Sequence, residues 1–291
     1  KSVFKGIVNF SKAYFGKGDA DFQFVDFGNG NVTFEESKFH FGNVIFVNCT
    51  FGNGTTNFKK VTFNDGKVDF HFSQFGEGHK IFDQTVFGGG EVDFKRCDFG
   101  AGKTDFRRIH FGDGNVTFEE SIFTSGKVNF KSSDFGHGEV NFHMVNFGAD
   151  SAIFDNAKFG TGNVSFYHSI SSQLSFIECE LETFVDLRVD KCGYLDLTDC
   201  INRDIIELQD TKGRAKVSVL NFTGMRNLGQ LYLGWNESNI FDIIVNQKEK
   251  TTNRQKSEQF RILKENFHNL GQYDDEDYAY VEFKRHERRA K

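Results

Sequence analysis

The chain has 291 residues, with 35 Lys and Arg against 41 Asp and Glu for a net charge of −6, and it contains 38 Phe, 30 Gly and no Pro. Such a balance, without a basic stripe carrying exposed aromatics, argues against direct binding of a nucleic-acid backbone. No apolar run of about 20 residues is present to span a membrane, and five cysteines without framework spacing argue against a disulfide scaffold and suit a reducing compartment.

From Val3 to Phe166 the chain repeats every 12 residues. One Phe column runs Phe10, Phe22, Phe34 and on to Phe166, a second runs Phe15, Phe27, Phe39 and on to Phe159, and together they hold 27 of the 38 Phe. A fixed short period marks a small unit that buries its apolar face only by stacking on its neighbours. The unit Phe27-Gly-Asn-Gly-Asn-Val-Thr-Phe-Glu-Glu-Ser-Lys38 places Val32/Phe34 and Ser37/Phe39 at spacing two, hence on one face of extended strands. The slot before the second column is small or β-branched (Ser37, Cys49, Val61, Ser73, Thr85, Cys97), and the slot before the first is mostly Val. Thr56, Lys80 and Thr104 break the Val rule, and Lys80 is expected to snorkel outward or distort its coil. Gly at the fourth unit position, from Gly6 to Gly162 with Asp150 the departure, reads as a positive-φ corner. Because strand follows strand there, a phosphate-cradling glycine loop is disfavoured.

The small residue two before Phe, renewed after five residues as in Val32-Thr-Phe34-Glu-Glu and Ser37-Lys-Phe39, resembles the pentapeptide-repeat family. That resemblance implies an all-β, right-handed β-solenoid (β-helix) with 12-residue sequence units and a Phe core. Phe-Gly-x-Gly lengthens every second element to seven residues. The spacing is compatible with a flattened 12-residue coil or a four-sided 24-residue coil; the resemblance favours the latter. At about 4.8 Å per coil, the 14 regular units then span about 34 Å rather than about 67 Å.

Candidate chemistry is sparse. Cys49 and Cys97 share an interior slot at least two coil steps apart, outside disulfide reach. Cys192 and Cys200 lack a second Cys or His pair to complete a metal site, and Cys179 reads as a buried thiol. The His residues, such as His71, His79 and His143, fall in outward slots without a Ser and Asp constellation. Asp69, Asp93 and Asp105 occupy one strand slot, which suggests calcium or carbohydrate, but that slot also carries Thr33, Ile45, Asn57, Ile81, Thr117 and Asn129 and holds no acidic or Thr ladder. Seven Asn-x-Ser/Thr sequons start at Asn31, Asn48, Asn53, Asn115, Asn163, Asn221 and Asn236, several at one repeated position. No catalytic, cofactor-binding or metal site is expected.

Beyond Phe166 the pairs Leu174/Phe176, Val185/Leu187, Leu195/Leu197, Ile206/Leu208, Val217/Val219 and Leu231/Leu233 predict further, less regular coils. From about Thr252, Phe260, Leu263, Phe267 and Leu270 form a helical stripe with Gly271 as C-cap. A second helix is expected from near Asp274, with acids at its start and Lys284, Arg285, Arg288 and Arg289 at its end. This α-helical hairpin would close the last coil. The organisation is thus 1–170 regular solenoid, 171–247 continuation and 248–291 hairpin cap or linker. The segment Phe260–Gly271 with Tyr273–Arg285 is similar to one that follows pentapeptide-type repeats in some prokaryotic, mainly archaeal, proteins. In several of those it leads into transmembrane helices resembling a two-helix ion-channel pore.

These features imply a non-enzymatic repeat scaffold or protein-interaction domain without cofactors, whose partner is a protein or a second copy. The resemblance makes it the cytosolic part of a channel-like membrane protein, membrane-associated only through a segment outside this chain. Two alternatives stand beside it. An acidic rod that mimics DNA and modulates a topoisomerase is one. The other is an extracellular filament subunit that self-assembles through the uncapped first coil near Val3.

Overall fold

The computed structural model describes residues 2–247 and 251–291, so Lys1 and the start of the 248–291 segment lie outside the described residues. Strand partners are 24 residues apart, as in Val8 with Val32 and Ala20 with Val44, and every strand pair is parallel. The coil is therefore four-sided. Sequence neighbours 12 apart sit on opposite sides, and vertical neighbours come from alternate units.

The first and third sides are ten-stranded sheets, running from Val8–Asn9 to Leu220–Asn221 and from Ala20–Asp21 to Gln230–Tyr232. The second and fourth sides are narrower, built of short strands and bridges such as Thr62 to Val86 and Asp26 to Thr50. Each side points one Phe inward, so the two Phe columns of the sequence become four in space. On the first side, Phe10, Phe34, Phe58 and their successors to Phe176 stack nearly parallel with centroids 4.6 to 5.1 Å apart. That separation matches the strand spacing and offers each ring an offset face. Across the centre, rings meet edge-on, as Phe34 meets Phe46 at 5.4 Å and 83°.

Corners alternate in kind. After the first and third sides, the residue two beyond Phe takes a left-handed conformation although it is not Gly: Lys12, Phe24, Glu36, Asn48 and on to His168, with φ of 53 to 61°. The turn is closed by the small residue's N–H donating to the Phe carbonyl three residues earlier, as Ser37 does to Phe34 at 2.9 Å. The glycines expected to supply positive φ mostly do not. Gly30, Gly54, Gly66, Gly78, Gly90, Gly114, Gly138 and Gly162 have ordinary φ, and Gly18, Gly42, Gly102 and Gly126 are the exceptions at that position. They are Gly because corners stack on corners: a Cβ on Gly30 would stand 2.1 Å from the Gly6 carbonyl oxygen, and one on Gly54 would stand 2.2 Å from that of Gly30.

Beyond Phe166 the coils continue with partners 22, 21 and 25 residues apart, Ala152 with Leu174, Leu174 with Leu195, and Leu195 with Leu220. The apolar pairs expected there are buried save one. Val219 is half-exposed, and Leu220 and Phe222 fill the first side while Val217 faces inward from the fourth. A six-residue helix α1, Ile240–Val245, interrupts the span read as solenoid and buries Ile240, Ile243 and Ile244.

Helix α2, Asn253–Leu270, opens on a Thr252 and Gln255 capping box and ends on Gly271 at φ 71°, while α3 runs Tyr273–Arg289. Phe260, Leu263 and Phe267 are fully buried, and Leu270 is half-buried. The hairpin does more than cover apolar surface, because its amide side chains take the place of a further strand. Asn266 Oδ1 accepts from the Leu231 N–H at 2.8 Å and its Nδ2 donates to the Leu231 carbonyl at 2.9 Å. Gln259 Oε1 accepts from the Phe222 N–H at 3.0 Å, and Gln247 Nε2 donates to the Leu220 carbonyl at 2.5 Å. These bonds satisfy the Leu231 N–H and carbonyl, the Phe222 N–H and the Leu220 carbonyl at the end of the ladder.

Candidate functional site

Outward polar residues on the sheets are largely committed to the corners. Asn57 accepts the Lys59 N–H at 2.9 Å, Asp93 that of Lys95 at 2.8 Å, Asp105 that of Arg107 at 3.1 Å and Thr117 that of Glu119 at 3.2 Å. This local turn selects Asp, Asn, Thr or Ser and explains the mixed slot that suggests calcium or carbohydrate in the sequence. Moreover, the 24-residue coil splits that slot: Asp69 pairs in register with Asp93 on the third side, while Asp105 lies on the first. The sequon residues Asn31 and Asn115 accept backbone N–H groups of Thr55 and Glu139 on the next coil, each at 2.9 Å.

Asp69, His71 and Asp93 bring potential ligand atoms within 4.8 Å of one another. A lysine already offsets part of their negative charge. Lys67 Nζ lies 3.3 Å from Asp69, 3.3 Å from Asp93 and 3.5 Å from Glu91. Burial opposes ionisation of Asp69, but the backbone N–H and ring of His71 and the Lys67 ammonium hold its carboxyl below the ordinary value. The same carboxylates outweigh partial burial to raise Lys67. The arrangement is a salt-bridged turn with its cation built in. Elsewhere, His143 stacks on Tyr167 at 5.5 Å and His168 bonds Asp190 at 2.9 Å, while His79 is exposed.

All five cysteines are buried and free. Cys49 Sγ donates to the Phe22 carbonyl and Cys97 Sγ to that of Phe70, both at 3.0 Å. Ser73 and Ser121, in the same column, donate to Phe46 and Phe94 at 2.5 Å. Burial pushes the Cys49, Cys192 and Cys200 thiols up to about 12, the opposite of what a nucleophile requires.

The three polar breaks in the Val rule are vertical neighbours on the first side, Thr56 paired with Lys80 and Lys80 with Thr104. Lys80 neither snorkels to solvent nor breaks register. It is fully buried, and its ammonium donates to the Ala101 carbonyl, while the Thr56 hydroxyl has no partner among the described residues. Burial pulls the Lys80 pKa from 10.5 down to about 8, against the raising effect of Asp98 and Glu77. The unfolded chain therefore binds more protons between those two values. The resulting penalty is complete below pH about 8 and fades as pH rises towards 10.5. Lys80→Met should stabilise the protein at pH 7 by roughly 2–3 kcal/mol, and urea midpoints should show this gain shrinking by pH 10.5. A gain that is absent, or constant with pH, would contradict the buried amine.

The surface exposes apolar residues on several sides, among them Ile7, Tyr14, Phe41 and Ile122, and three more lie along one edge, interspersed with Asn48, Arg96 and Glu120. Among the left-handed corner residues after the third side, Phe24 is 54%, Phe72 43% and Met144 51% exposed, and the Arg96 guanidinium lies 5.7 Å from the Phe72 ring centroid. The corresponding corner after the first side carries Lys12, Glu36, Lys60, Gln84 and Arg108, joined in part by salt bridges. Among the described residues no helix is long and apolar enough to cross a membrane. No family model matches the chain, and no curated protein matches it in sequence.

Proposed function

We propose that this β-solenoid is a non-enzymatic scaffold whose corner after the third side docks a protein partner, within a larger assembly such as a channel-like membrane protein. The observation that supports this reading most directly is the placement of Phe24, Phe72 and Met144, exposed and at positive φ, where Asn or Gly would be cheaper in both conformation and solvation. Apolar side chains placed at a costly position on one edge of a rigid rod are what a contact surface needs. Many acids and hydroxyls of the two broad sheets instead serve turns and salt bridges.

The test is site-specific photo-crosslinking in cells of the source organism, with the photo-reactive residue at position 72 or, as a control, at position 84 on the opposite corner. A discrete adduct at 72 that disappears when Phe24 and Met144 become Asp supports the reading. Adducts indistinguishable from those at 84, or a catalytic turnover abolished by changing one polar side chain, would overturn it.

A further inference from the structure

Around the solenoid, stacked charges usually alternate in sign from coil to coil. Lys95 meets Glu119 at 2.8 Å, Arg96 meets Glu120 at 2.8 Å, and Arg203 meets Glu180 at 2.5 Å, each one coil away. The first side departs from this where Lys103-Thr-Asp-Phe-Arg107 lies in register with Lys127-Val-Asn-Phe-Lys131, through Thr104 with Val128 and Asp105 with Asn129. Base stacks on base twice, at about one strand spacing, 4.8 Å. Lys103, Lys127 and Lys131 are exposed and have no ion-pair partner among the described residues. The carboxylate between them, Asp105, is engaged by Arg107 at 2.8 and 2.6 Å.

A groove of about 430 Å³ lies here, lined by His79, Ile81, Lys103, Arg107, Lys127 and Asn129 among others. In the interior of the same sheet, the Val column is interrupted by Lys80 and Thr104. The Lys80 ammonium is fixed on the carbonyl of Ala101, two residues before Lys103. It adds a positive charge that cannot swing away to solvent. Two unpaired lysines one coil apart repel each other, and an anion held between them relieves that repulsion. A monovalent anion would leave one of the two charges unmet. A planar carboxylate is best held by an arginine fork, and the fork of Arg107 is already taken by Asp105. Lysine ammoniums act as point donors and suit an oxyanion that presents oxygens in several directions.

We propose that this groove binds a doubly charged tetrahedral oxyanion, phosphate or sulfate, either free or as a pendant group on a larger molecule. Lys103 and Lys127 are the primary contacts and His79 borders them. The inference is independent of the partner reading above, because Phe72 and Met144 lie on the corner after the opposite sheet. Thus Phe24→Asp with Met144→Asp leaves the anion site intact, and failure of one proposal does not entail failure of the other.

The experiment is equilibrium dialysis of the intact chain against radiolabelled inorganic phosphate at low ionic strength, with unlabelled sulfate as competitor. One saturable site per chain is expected, with affinity reduced about tenfold or more in Lys103→Gln/Lys127→Gln and unchanged in Lys95→Gln, whose lysine is paired. Circular dichroism melts of both variants check that the coil is intact; Lys103 and Lys127 are exposed and Lys95 is half-buried. Competition by O-phosphoserine as effective as that by phosphate would identify the pendant form, and competition by the free ion alone the other. No saturable uptake below about 10 mM, or equal affinity in the double variant, would overturn the proposal.

Discussion

Phe94→Ala should destabilise the protein by about 3–5 kcal/mol, whereas Phe72→Ala should change stability by less than about 0.5 kcal/mol. Phe94 belongs to the first Phe column, whereas Phe72 lies outside both columns at a left-handed corner, and their surroundings differ. Phe94 is fully buried, with Phe70 and Phe118 stacked on its two faces at 4.8 Å and the edges of Phe82 and Phe106 at 5.6 and 5.8 Å. Collapse cannot fill the space left by the ring, because the coils above and below are fixed by backbone bonds such as Phe94 N–H to the Thr117 carbonyl at 2.8 Å. The cavity term therefore adds to the lost burial in full. In a stack where each coil touches only its neighbours, a weak coil also uncouples the two halves. Urea unfolding followed by circular dichroism should show a lower midpoint for Phe94→Ala together with a broadened or split transition. A Phe94→Ala curve within about 1 kcal/mol of the parent would mean that the rings are less tightly interlocked than their distances imply.

The inward face of nearly every regular unit was legible from spacing alone, because a strand's period of two forces Val32, Phe34, Ser37 and Phe39 to one side. Coil size was not legible from that pattern: opposite sides of a four-sided coil carry the same motif, so a 12-residue repeat is the same string in either geometry. One signal did distinguish them. Thr56, Lys80 and Thr104 are spaced by 24, as exceptions in mutual contact must be in a 24-residue coil, and in the structure they are direct neighbours. The glycine corners were misread for a related reason. A dihedral requirement belongs to one residue and is argued locally, whereas the clash of a Gly54 Cβ with the Gly30 carbonyl exists only once the coil length is known. The helical hairpin was legible from its stripe and cap. Its hydrogen bonds to the last coil were not, because Gln259 and Asn266 look in sequence like ordinary polar helix residues. The basic groove was hidden in the same way: Glu119 and Glu120 intervene in sequence between Lys103 and Lys131, yet they belong to the third side and its corner.

Asn266→Leu should cost about 2–5 kcal/mol and release the last coil rather than the whole rod. Asn266 is only 2% exposed, and Leu keeps its γ-branched outline while lacking its hydrogen-bonding groups. The substitution removes the acceptor for the Leu231 N–H and the donor to the Leu231 carbonyl at a single stroke. Two buried backbone groups are then unsatisfied, each at about 1–3 kcal/mol. Nothing further along the chain can replace those bonds, since α2 already occupies the position a following strand would take. Unlike Phe94, which sits mid-stack, Leu231 lies in the final strand of its sheet. Its loss frays inward from one end, as expected for a quasi-one-dimensional fold. Hydrogen exchange should therefore accelerate through Gln230–Tyr232 and the Ile205–Glu207 strand that pairs with it, while protection around Val92 and Val116 is retained. Uniform loss of protection would mean that the hairpin stabilises the solenoid globally, and unchanged exchange at Leu231 would mean that the amide bonds of Asn266 are not what terminates the ladder.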